Sequence, residues 1–361
     1  MTKNLYLLTA VVSVGVLNAC SKVSFESQAS SDKDSCVQLG IQTNKCGFQA
    51  HDQMAEVKAN LDVDVLFVID NSGSMKQEQI DIANKISGFM DKIKNLNWQI
   101  ALTTTDDRAT TKSTDGVDRA WSDGQFRPFD ADDGVELILK ASLVTAVEAQ
   151  TKLGSAIQVG LLGSGNERAI NATYRAVERA ATASVNKDFL RPGARLAVVA
   201  ISDEDECSKG HATCNTNIAA TSEPQNLVNL VKSQLGADKV FTFNSIIDIP
   251  GDVTCTTGAN EGNSYQGITT LTGGVLGSVC STDFTAPLSA LGTRVVELVK
   301  SVALECAPED LSGDGIADIR VILADGTTAT TGYQVSGNTV SFNDALPEGQ
   351  HRFAYYCMPT L

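Results

Sequence analysis

Histidine is scarce in this 361-residue sequence: only His51, His211 and His351 occur, and none stands in a recognisable catalytic motif. G-x-S-x-G, H-E-x-x-H and the P-loop are all missing, which removes the nucleophile-elbow, zincin and phosphate-cradling readings. There is no C-x-x-C, and the cysteine spacings fit no zinc ribbon, so thiolate metal binding is not expected. Positive charge is short as well. The 28 Lys+Arg against 43 Asp+Glu leave a net charge of −15, a balance that repels nucleic acid and anionic membrane surfaces and makes divalent cations the natural counter-charge. The apolar stretch Leu5 to Leu17 has 13 residues, too few to span a bilayer. What is present, 42% hydrophobic and 20% charged residues, is the balance of a folded globular chain.

Lys3 followed by that apolar stretch and small residues reads as an export signal. Its end, Leu17-Asn18-Ala19-Cys20, resembles a bacterial lipobox, which implies removal of residues 1–19 and lipidation of Cys20; an ordinary signal peptide with an incidental cysteine is the alternative. The implied location is the cell envelope, lipid-anchored, on the periplasmic or surface face. Ser21 in place of an aspartate favours the outer membrane if the cell is Gram-negative. Of nine cysteines, eight remain once Cys20 is set aside, an even number that fits four disulfides in an oxidising compartment. Proximity pairs Cys36 with Cys46, Cys207 with Cys214, Cys255 with Cys280 and Cys306 with Cys357, but proximity alone leaves the connectivity open.

Residues 20–34 have the Ser-rich composition of a flexible tether, and 35–61 form a lead-in stapled by Cys36 and Cys46. From 62 to 305 the pattern is that of a doubly wound, mostly parallel α/β sheet. VDVLFVID (63–70) is an almost continuous apolar run, as in a strand buried on both faces. Ile82, Ile86, Phe89, Met90, Ile93 and Leu96 follow at helical spacing. WQIALTTT (98–105), LAVVAIS (196–202) and VFTFNSII (240–247) are further strands, with helices around Ile170–Ala181, Leu227–Leu235 and Ala286–Ala303. Residues 107–150 read as a long insertion with an edge strand at Val135–Leu139. Residues 306–361 alternate in short segments (319–324, 331–336, 339–344, 351–357) broken by Gly, Pro, Asn and Asp, as in a small antiparallel β unit.

The first buried strand ends in Asp70-Asn71-Ser72-Gly73-Ser74, a D-x-S-x-S directly before a helix. Ligands of open α/β sheets bind beyond the carboxyl ends of the strands. A carboxylate and two hydroxyls there are hard oxygen donors, suited to Mg²⁺, Mn²⁺ or Ca²⁺. The strand 196–202 ends at the same edge and brings Asp203.

VDVLFVIDNSGSM resembles the opening of a von Willebrand factor type A (VWA) domain with its metal ion-dependent adhesion site, MIDAS. DFLRPGARLAVVAISDEDECS, with TTTD before it and LTGG after it, is similar to bacterial exported VWA lipoproteins. The resemblance spans residues 62–304. It implies a Mg²⁺ site of Asp70, Ser72, Ser74 and Asp203, with Ser164 where the family has threonine. It further implies coordination without bond breaking, the electrophilic ion receiving a carboxylate from a protein or peptide ligand. The expected role is adhesion or protein binding, with no enzymatic activity and no nucleic acid partner. Alternatives are a metal-dependent hydrolase, or a structural envelope protein with a stabilising metal.

Several acidic residues have plainer readings. Asp70 and Ser72 could be a helix cap, and Asp106 a turn residue or a support beside the metal. Asp205 and Glu206 read as solvated loop charges. Asp310, Ser312, Asp314 and Asp318 are spaced like a calcium loop around Gly315, but Val321 stands where that loop has glutamate; the alternative is an Asx-rich turn.

Overall fold

The computed structural model describes residues 48–57, 61–106, 108, 122–129, 136–182, 184, 186–206, 220–236, 239–255 and 260–357. Cys20, the tether, the 36–46 and 207–214 cysteine pairs and His211 lie outside these residues. After a first strand, β1 (Gln49–Val57), the chain enters β2 (Asp62–Ile69), then α1 (Lys76–Lys85), α2 (Ser87–Ile93) and β3 (Asn97–Thr104). β4 (Leu139–Lys140), α3 (Ala146–Ile157), α4 (Ala169–Ala180), β5 (Arg195–Ile201) and α5 (Pro224–Leu235) follow. β6 (Phe241–Ile247), α6 (Asn263–Leu271), β7 (Leu276–Ser278) and α7 (Thr285–Leu298) complete the mixed α/β region.

Its sheet has the order β4-β3-β2-β5-β6-β7, parallel throughout except for the edge strand β4. Alternate residues of β2 feed two separate cores. Val63, Val65, Phe67 and Ile69 pack with side chains of α1, α2, α3 and α7. Leu66 and Val68 pack with those of α4, α5 and α6. A strand covered on both faces has no solvent side, which is why its sequence is a continuous apolar run. Asp64, the acidic residue inside that run, is fully buried and accepts from the Arg191 guanidinium at 2.7 Å.

Local chemistry sets the helix ends. Thr145 and Glu148 form a reciprocal capping box at the start of α3. Pro224 opens α5, where its missing N–H costs nothing, and Gly236 closes it at φ 102°.

The remaining strands are β8 (Ser301–Ala303), β9 (Ile319–Ile322), β10 (Thr328–Ala329), β11 (Tyr333–Ser336), β12 (Thr339–Phe342) and β13 (Gly349–Cys357). They form two antiparallel sheets, β1-β13-β9-β10 and β11-β12-β8, around Val302, Leu304, Val321, Val340, Phe342, Phe353 and Tyr355. The disulfides Cys255–Cys280 and Cys306–Cys357 are formed as proximity pairs them.

Three details depart from the sequence reading. The lead-in carries β1, whose nine residues pair with β13 from Gln49↔Cys357 to Val57↔Gly349. The helix expected to reach Ala303 stops at Leu298, because Ser301–Ala303 pair with β12, with Val302 entering the β unit's core while Ala303 stays in the core shared with α7. The edge strand is Leu139–Lys140 instead of Val135–Leu139, with Val135 outside the described residues. Helices α3 and α6 and strands β7 and β10 had no sequence signal.

Candidate metal centre

Chain order reverses between β2 and β5. The chain proceeds from β2 outward to β3 and β4, then returns to β5 on the other side of β2, so the loops after β2 and β5 diverge and leave a crevice. The ladder runs one residue past the strands: Asp70 N–H donates to Ile201 O at 2.9 Å. Asp70 is fully buried. Its Oδ1 accepts from Ser72 N–H at 2.8 Å and its Oδ2 from the Ser202 hydroxyl at 2.7 Å. The Ser72 and Ser74 hydroxyl oxygens lie 3.1 Å apart across a short 3₁₀ turn, and the Ser74 hydroxyl donates to the Asp203 carboxylate.

A third loop, between α3 and α4, folds over this pair. Gln79 Nε2 donates both to Asp70 O at 2.8 Å and to Gly160 O at 3.0 Å, and Gly163 N–H donates to Asn71 O at 2.8 Å. The approach at Gly163 admits no side chain: a Cβ there would stand 2.1 Å from Asn71 Oδ1. Ser164 lies in this loop, half-buried, its hydroxyl accepting from Asn166 N–H at 3.1 Å. Three residues on is Glu167, only 1% exposed, which the sequence reading did not single out.

The crevice is acidic and unsatisfied. Burial, reinforced by Asp203, pushes the Asp70 carboxyl up to about 7, against the hydrogen bonds from Ser202 and Ser72. Burial and then the charge of Asp70 push Glu167 up to about 9, and burial raises Asp203 as well. Asn71 Oδ1, Thr105 Oγ1, Asp203 Oδ1 and both carboxylate oxygens of Glu167 are buried without a hydrogen-bond partner among the described residues. Buried polar atoms are ordinarily paired. Unpaired oxygens from adjoining loops, together with two hydroxyls, make a donor set that fits a hard divalent cation.

The other acidic residues have local work. Asp106 is buried and held by the Arg108 guanidinium (Nε to Oδ1 2.7 Å). Contrary to their reading as solvated charges, Asp205 and Glu206 cap helices. Asp205 accepts from Ser264 N–H at 2.9 Å at the start of α6. Glu206, 2% exposed, accepts from Ile170 N–H at 2.9 Å and Asn171 N–H at 3.3 Å at the start of α4. Asp310, Ser312, Asp314 and Asp318 come together in an exposed loop as a series of Asx turns. Asp310 accepts from the N–H groups of Gly313, Asp314 and Gly315, Asp314 from Ile316, and Asp318 from Leu311 and Ser312.

No protein-family model and no curated protein matches the chain. Among solved structures it is similar to proximal thread matrix protein 1 from the mussel byssus (13% identity, TM-score 0.37, 69% of this chain and 51% of that one). It is also similar to the pilus adhesin SpaC from Lactobacillus rhamnosus GG in the open conformation (12% identity, TM-score 0.38, 87% of this chain and 41% of that one). The chain thus spans about half or less of the chains it matches. At these TM-scores the assignment of a role rests on the chain's own residues.

Proposed function

We propose that the chain is a doubly wound VWA-type binding module, held at the cell envelope by a lipid on Cys20, whose crevice takes a divalent cation and through it a protein or peptide ligand. The observation that carries this is the convergence of Asp70, Ser72, Ser74 and Asp203 from two loops that are 129 residues apart from Ser74 to Asp203, among buried oxygens that lack partners. Asp70, Ser72, Ser74 and Asp203 would hold the ion, with Ser164 on the third loop. Mg²⁺ is the first expectation and Mn²⁺ or Ca²⁺ the alternatives. The bound cation supplies an electrophilic centre to which a carboxylate oxygen can coordinate. The protein residues orient and shield: Ser202 fixes one oxygen of Asp70, the backbone of Ser72 fixes the other, and Gln79 ties the third loop to the first.

The role is one of binding, without chemical turnover. His51 and His351 sit on β1 and β13 in a different sheet from the crevice, and of the group His51, Cys306 and Cys357 both cysteines are committed to a disulfide. Among the described residues no helix is long and apolar enough to cross a membrane; the anchor in this proposal is Cys20.

Calorimetric titration of Mg²⁺ into the chelator-treated full-length chain tests the reading. Wild type is expected to bind, while Asp70→Ala and Ser72→Ala lose binding and keep their far-UV circular dichroism. Failure of the wild type to take up any of the three cations would sink it.

A further inference from the structure

We infer that Glu167 contributes its carboxylate directly to the cation held by Asp70, Ser72, Ser74 and Asp203, occupying from within the molecule the anionic position that a partner's carboxylate would take. The inference rests on the metal-centre reading above and adds a ligand to it.

Every ordinary use of a buried glutamate is closed to Glu167. It stands two residues before α4, where an acidic side chain commonly caps the helix. Those amides already have acceptors: Ala169 N–H donates to the Tyr265 hydroxyl at 3.1 Å, and Ile170 and Asn171 donate to Glu206. Among the described residues neither of its carboxylate oxygens has a hydrogen-bond partner of good geometry, and the one donor beside them is its own backbone N–H. What does face it is negative charge, from Asp70, Glu204 and Asp203. A carboxyl buried beside other carboxylates, with no donor in reach but its own backbone N–H, is a costly arrangement for a folded chain to keep. A divalent cation among the same groups removes that cost. The backbone holds Glu167 in place from both sides, since Gly163 N–H donates to Asn71 O and Arg168 N–H donates to Thr105 O at 3.2 Å.

The consequence concerns partner choice. With Asp70, Asp203 and Glu167 all ionised around one dication, the donor set carries more negative charge than the ion balances. Ligand charge raises cation affinity, and the same charge repels a free anion. A partner carboxylate therefore enters only as Glu167 leaves, so the loop between α3 and α4 sets the threshold for capture.

The test uses the full-length chain, stripped with chelator, and Mn²⁺ as the probe, followed by electron paramagnetic resonance. Glu167→Gln and Glu167→Ala are expected to weaken Mn²⁺ binding by at least the roughly 10–100-fold that loss of an outer-shell partner of a metal ligand costs. Ser164→Ala should have the smaller effect. Acetate is expected to restore Mn²⁺ affinity to Glu167→Ala and to do nothing for wild type, a rescue that a merely structural glutamate would not show. In chelator near neutral pH, Glu167→Gln should melt at a higher temperature than wild type, because the amide is neutral without the proton that the buried carboxyl must take up on folding. Folded Glu167 variants that bind Mn²⁺ like wild type, while Asp70→Ala does not, overturn the role of Glu167 and leave the metal centre standing. No Mn²⁺ uptake by wild type overturns both.

Discussion

Asp70 shows how a single buried carboxyl links pH to the state of the crevice. Its native pKa lies well above that of an ordinary carboxylate, about 4, because burial penalises the charged form. A raised native pKa means that the folded state holds a proton the unfolded state releases. In chelator this contribution to stability is fully present below about pH 4 and is lost as pH rises through neutrality; Glu167 extends the loss into the alkaline range. The melting temperature of metal-free wild type should fall across this window, and that of Asp70→Asn should fall less. Added Mn²⁺ should flatten the wild-type curve, since a cation replaces the protons. A metal-free melting temperature that rises from pH 4 to 8 would contradict this assignment. The D-x-S-x-S part of the centre was legible because its residues are contiguous at the end of an unmistakable strand. Glu167 and Ser202 were not. A glutamate in LLGSGNER has surface composition, and its burial arises only when Gly163 settles against Asn71.

At the scale of elements, legibility followed burial on two faces. β2, β3, β5 and β6 are runs of apolar residues because both sides are covered, and a run needs no long-range knowledge to read. The two-residue β4 and three-residue β7 are edge strands too short for a pattern. α6 (NSYQGITTL) hides its apolar stripe among Ser, Thr and Gln, although Tyr265 and Ile268 are fully buried. The caps were illegible for another reason: Asp205 and Glu206 lie far in sequence from the helices whose amides they satisfy. Glu206→Ala strips the acceptor from two buried amides of α4, and a cost of roughly 1–3 kcal/mol follows; thermal unfolding should register a melting temperature lower by several degrees. Gly163→Val tests the third loop. Its side chain would meet the Asn71 amide and backbone, so Mg²⁺ affinity should drop in calorimetry while the fold persists. Unchanged affinity would mean that this loop does not shape the centre.

In the whole molecule, the β unit is assembled from both ends of the described chain, with β1 and β8 completing sheets whose other strands lie after residue 318. Periodicity cannot reveal such closure, because neither partner strand carries a mark of the other. Cys306–Cys357 crosslinks residues 51 apart, and loss of a bond closing a loop of that size costs roughly 2–5 kcal/mol. The Cys306→Ser, Cys357→Ser double variant should therefore unfold at a markedly lower denaturant midpoint, with metal affinity unchanged.

The pairing of β1 with β13 also has a mechanical side. All nine residues of β1 are matched in register with β13, and a strand drawn along its own axis strains every rung of such a ladder together. A pull entering at residue 48 along β1 would thus be shared in shear, whereas a pull across the strand would open the rungs singly. The ladder would bear sustained tension best in the direction in which β1 itself runs.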